Sequence, residues 1–100
     1  MTHELKVIEP YFTRIRIGRQ TCDLRRNDRV LQAGDIVILK CCKDGKVTGE
    51  TCSRRVTYVI TDKSYCPKGY ILLGLSEYGV TEHLRDEAFL RAMDAVFASI

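Results

Sequence analysis

Nowhere in this 100-residue chain is there an apolar run long enough to cross a bilayer. Stretches such as Ile36–Leu39 fall far short of the roughly 20 residues that a spanning helix needs. The opening residues, MTHELKVIEP, also lack the basic segment and long apolar stretch of a secretory leader. These absences lead us to expect a soluble, cytoplasmic protein without membrane contact. No C-x-x-C pair occurs among Cys22, Cys41, Cys42, Cys52 and Cys66, and the two histidines, His3 and His83, lie near opposite ends of the chain. Structural zinc sites are built from close-spaced pairs, so neither metal nor cofactor is expected. Cys41 or Cys42 facing Cys52 across a hairpin would supply only two ligands. An odd cysteine count without a leader reads as reduced thiols rather than a disulfide framework. Cys22 alone has the positively charged neighbours that a nucleophilic thiolate wants, although a small apolar strand residue is the simpler role. No repeat or low-complexity segment divides the chain, and residues 1–100 read as one domain.

What is abundant is local. Six arginines fall between Arg14 and Arg29 with only Asp23 and Asp28 against them, a formal +4 within a chain of net +3. The rest therefore sums to −1, so the positive charge is one patch and not a general property of the surface. Every cation in the run is arginine, whose guanidinium forks onto phosphate or stacks on a base where an ammonium acts only as a point charge. Nucleic acid is the ligand this pattern favours. A solvated face with arginine stems covering apolar surface is the plainer alternative.

Along the chain, His3–Ile8 alternates as a strand. Pro10 then opens a helix over residues 10–17, with Ile8, Phe12 and Ile15 at helical spacing and Gly18 as the left-handed stop. Thr21–Arg25 resumes an extended pattern that sets Thr21, Asp23 and Arg25 on one side and Cys22 and Leu24 on the other. Gln32-Ala33-Gly34-Asp35 is a turn into the apolar strand Ile36–Leu39, expected to be buried on both faces. Lys43–Glu50 reads as a hairpin connection into a strand from Cys52 to Thr61, with Val56, Tyr58 and Ile60 on one face. A loop over 62–69 precedes the last strand, Tyr70–Leu75. About five to six strands are enough to curl a sheet on itself. In the tail, Thr81 caps a helix predicted over 82–99. Its stripe of Phe89, Met93, Val96, Phe97 and Ile100 either packs on the parent domain or forms a dimer or partner interface.

The segment Gly18-Arg19-Gln20-Thr21-Cys22-Asp23-Leu24-Arg25 resembles the G-x-K-x-x-E-x-R signature of ASCH domains in the PUA-like superfamily. Asn27-Asp28-Arg29, Gly34-Asp35 and Gly69-Tyr70-Ile71-Leu72-Leu73-Gly74 follow in order, as in small ASCH-like proteins of phages and prophages. The match spans roughly Met1 to Leu75. It implies an α+β fold: a curled PUA-like barrel over about 1–77, a helix after the first strand, a cleft beside that helix, and a role in binding RNA or modified nucleosides.

On this resemblance the nucleic-acid face comprises Arg19, Gln20, Thr21, Asp23, Arg25, Arg26 and Arg29, with Tyr65 as the stacking aromatic. Tyr11 is also available for stacking, whereas Tyr58 and Tyr70, being on strands, read as buried. The partner is then single-stranded RNA or a nucleotide. Two other classes stay open. Some ASCH proteins are amidohydrolases on acetylated cytidine, using a lysine and a threonine of the signature. Here Gln20 and Asp23 stand at those positions, leaving Thr21, Asp23 and Glu77 as weak catalytic candidates, and glutamine cannot serve as base or amine nucleophile. The third class is a phage-encoded interaction factor that docks through the tail stripe.

Overall fold

The computed structural model describes residues 1–79. Five strands and one short helix occur in the order β1 (Thr2–Ile8), α1 (Tyr11–Arg16), β2 (Cys22–Arg26), β3 (Ile36–Lys43), β4 (Lys46–Ile60) and β5 (Tyr70–Leu75). They make one mixed sheet in the order β1-β3-β4-β5-β2. β1 and β3 run parallel and the other neighbours antiparallel. The described residues are β-rich with little helix. The tail helix expected over 82–99, with Phe89, Met93, Val96, Phe97 and Ile100, lies outside the described residues.

The expected barrel does not close. Among the described residues β1 and β2 are both edges, and no backbone ladder joins them. Side chains span the gap instead: Arg25 donates from Nη2 to the Lys6 carbonyl at 2.9 Å, and Arg29 from Nη1 to the Glu4 carbonyl at 3.1 Å. A closing ladder would need those same carbonyls, because each strand residue has only one N–H and one C=O to pair. Arginine tips in the seam also shield an edge that would otherwise template pairing with another chain.

The core gathers Leu5 and Val7 of β1, Val37, Leu39 and Cys41 of β3, Val56 of β4, and Ile71, Leu73 and Leu75 of β5. The alternation of β1 thus reads directly as one buried face. β3 has residues buried on both sides, Ile36 and Cys42 as well as the core-facing set, while Ile38 is partly exposed. From α1, Phe12 and Ile15 reach 0% exposure, and burying each contributes roughly 1.5–3 kcal/mol. Pro10, at the N-cap of α1, has no side-chain oxygen to accept from the first turn. Glu9 serves the first turn in its place, accepting from the Thr13 N–H at 2.8 Å and the Thr13 hydroxyl at 2.6 Å. Those two hydrogen bonds hold the Glu9 carboxyl below its ordinary value.

Two expectations about β4 need correction. The connection read over Lys43–Glu50 is a tight turn at Asp44-Gly45, with φ of 54° and 78°, and β4 already starts at Lys46. Asx-Gly is the pair that tolerates two successive left-handed residues, and the second glycine, Gly49 at φ 94°, falls where the β3–β4 register slips. Polar content misled the reading, since this part of β4 is exposed and needs no apolar alternation. Second, Val56 and Tyr58 do not share a face. The register shifts between them, so that Val56 pairs with buried Leu75 while Tyr58 pairs with Gly74. One extra residue in a bulge reverses the alternation downstream. Tyr58, expected to be buried, is therefore 42% exposed. Its ring lies over Gly74 so closely that a methyl group there would overlap it.

Candidate functional site

The turn after α1 sets the site. Gly18 takes φ 81°, and the N–H groups of Gly18, Arg19 and Gln20 return to the carbonyls of Ile15 and Arg14 at 2.9–3.1 Å. Glycine suits that left-handed position, and Glu77 packs against it, its Cγ 3.3 Å from where a Cβ would stand. Gln20 then donates from Nε2 to the Cys22 carbonyl at 2.8 Å, fixing the entry to β2. Beside this entry lies a cleft of about 390 Å³ lined by Tyr11, Gln20, Cys22, Asp23, Leu24 and Leu72. Of the residues proposed from sequence, it brings Gln20 and Asp23 together.

The others divide by environment. Asp23 and Arg25 form an ion pair, Nε to Oδ2 at 2.7 Å, with side chains 12% and 18% exposed. Arg25 thus spends two of its donors within the protein, on Asp23 and on Lys6. Arg29 is more open, 44% exposed, and lies 3.7 Å from the Asp28 carboxylate. Arg19 and Arg26 are exposed, and neither side chain is hydrogen-bonded or ion-paired to any described residue. Arg14 sits 5.6 Å from the Tyr11 ring centroid, over its face. Thr21 is exposed, and its carbonyl accepts from the Leu75 N–H at 2.9 Å, which extends the β2–β5 ladder. Thr21 directly precedes β2 and Asp23 lies within it, while Glu77 packs at Gly18. Tyr65 is 73% exposed in the loop after β4 and lines neither the cleft nor the second hollow described next.

That second hollow, of about 480 Å³, opens past the other end of β2, with Asn27, Asp28, Arg29, Val30, Thr61 and Ile71 among its lining residues. Periodicity gave no sign of it, because it joins a loop to the ends of β4 and β5. Arg54 was also missed. It is 4% exposed, and its guanidinium donates to the carbonyls of Ser53 at 2.6 Å and of Ile15 and Arg16 at 3.0 Å. A cation at the last carbonyls of α1 satisfies groups that have no partner inside the helix and meets the negative end of its dipole. Among the described residues no carboxylate lies within ion-pair distance of it.

All five cysteines are free thiols. Partial burial pushes the Cys52 thiol upward, against the opposing charges of Arg54 and Arg16. No group of three or more metal-ligating side chains occurs among the described residues, and no helix there is long and apolar enough to cross a membrane.

Comparison with known proteins places this geometry in a lineage. The chain is 35% identical over 71 residues to the uncharacterized 12.9 kDa protein in the GpA 3' region of Escherichia phage P2. The match covers 71% of this chain but only 64% of the phage protein's length. Residues 2–75, which include the cleft, the arginine run and all five strands, match the domain of unknown function DUF3850, and the chain belongs to that family.

Proposed function

We propose that this protein is an ASCH-like module that binds single-stranded RNA or a nucleotide at the arginine-flanked cleft between α1 and β2. The observation that carries this reading is the fate of the arginines. Arg19 and Arg26 stand exposed on either side of the cleft-lining segment Gln20–Leu24, without an acid partner among the described residues. Arg29 lies half-open further on. Exposed guanidinium groups on a short stretch repel one another unless something anionic compensates them, and a phosphate backbone supplies that compensation at regular intervals. The cleft between them has the make-up of a base site: Tyr11, Leu24 and Leu72 offer apolar surface, and Gln20 and Asp23 offer polar edges.

Arg25 supports the site rather than facing outward in this reading, and holds the cleft-lining Asp23 in place. The ion pair and the bond to Lys6 set the strand edge that forms one wall of the cleft. The amidohydrolase alternative finds less support, because Gln20 stands where the signature lysine acts and its amide is already engaged with the Cys22 carbonyl. Titration of a fluorescent single-stranded RNA at rising salt tests the proposal. Three phosphate contacts, from Arg19, Arg26 and Arg29, correspond to a log–log slope of about −2 for a single strand. Absence of binding even at low salt would overturn it.

A further inference from the structure

The two hollows lie at opposite ends of one strand and share no lining residue. The first opens at Gln20–Leu24, where β2 begins, and the second at Asn27–Val30, immediately after it ends. From Cys22 to Arg26 the chain is extended, and four steps at about 3.3 Å separate those positions by about 13 Å. One nucleotide cannot occupy both hollows. A stacked strand that advances about 3.4 Å per nucleotide spans the distance in about four.

The second hollow has the composition of a base subsite. Its floor is apolar, with Ile71 and Leu31 only 2% and 7% exposed, and Val30 at the surface is 76% exposed. Its rim is polar, with Asn27, Thr61 and Arg29, the last held at the Glu4 carbonyl. Asp28 shares that rim and offsets part of the Arg29 charge from 3.7 Å. Between the hollows, at the very end of β2, stands Arg26, whose side chain has no partner among the described residues.

Resting on the nucleic-acid reading above, we infer that the second hollow receives a further base of the same strand. The partner is then a single-stranded RNA segment of about four or more nucleotides laid along β2, and a free nucleotide is only a partial ligand.

Anisotropy titrations with labelled oligouridylates of one, two, four and eight nucleotides test this, on wild type and on Val30→Ala. Val30 is exposed and uncharged, so the variant leaves the charge pattern intact, and an unchanged urea midpoint verifies the fold. Thr61→Val provides a second variant of similar volume. The expected result is a steep gain in affinity between two and four nucleotides. Val30→Ala should weaken the octamer about threefold, by loss of apolar contact, and leave the dinucleotide unaffected. A mononucleotide that binds as tightly as the octamer, or an octamer insensitive to both variants, would overturn the inference and leave the arginine reading standing. Failure of every length to bind at low salt would overturn both.

Discussion

Arg25 and Lys6 meet across the open seam of the sheet, guanidinium Nη2 to backbone oxygen at 2.9 Å, although they belong to opposite edge strands. The same guanidinium holds Asp23 through Nε at 2.7 Å. An arginine that sequence alone assigns to a ligand is thus committed first to joining β2 to β1. Removing it strands the mostly buried Asp23 carboxylate and releases the exposed Lys6 carbonyl to water. Arg25→Ala should destabilise the domain by about 2 kcal/mol, read as a lowered urea midpoint with unchanged m-value. An unaltered midpoint would show the seam bonds to be incidental.

Arg54 should matter more to stability than any other arginine. Replacement by leucine keeps volume but leaves the Arg16 carbonyl at the end of α1 without its donor and the Ile15 carbonyl with only the Gly18 N–H. A loss of about 3 kcal/mol is expected, measured in the same urea experiment. Binding per folded molecule should remain, because Arg54 lines neither hollow.

Acid should weaken the fold through Asp35. Burial opposes its ionisation, but hydrogen bonds from the Gln32 N–H, from His3 and from the terminal amine outweigh that cost and lower its pKa below the ordinary 3.8. A carboxylate whose folded pKa is depressed contributes stability that is fully present above the unfolded value and is lost as pH falls through the folded one. Urea midpoints should therefore hold steady down to about pH 4 and then drop. In Asp35→Asn, stability should be lower at neutral pH and the acid-side drop shallower. Parallel curves for the two proteins would refute the assignment.

The parts legible in the sequence were those fixed by local chemistry. Gly18 at φ 81° and the alternation of Leu5 and Val7 follow from backbone sterics and the two-residue period of a strand. The arginine cluster was legible from charge, whereas the ASCH resemblance implied, along with a cleft beside α1, a closed barrel that the sheet does not form. What stayed hidden depends on long-range geometry. The bulge between Val56 and Tyr58 turns a tyrosine outward with no change in composition. Arg54 finds its role in a helix 39 residues earlier. The seam requires β1 and β2 to be the two ends of one curled sheet, which no window of sequence encodes.

Binding through phosphate by the exposed arginines is the central claim, and the salt dependence of an Arg19→Ala/Arg26→Ala double variant tests it most directly. Neither side chain has a partner among the described residues, so the fold should keep its urea midpoint. Each lost phosphate contact removes about 0.7 from the slope of log K against log salt for a single strand. The double variant should bind short RNA more weakly than wild type, with a slope shallower by about 1.4. Equal affinities and equal slopes across the salt series would contradict the account.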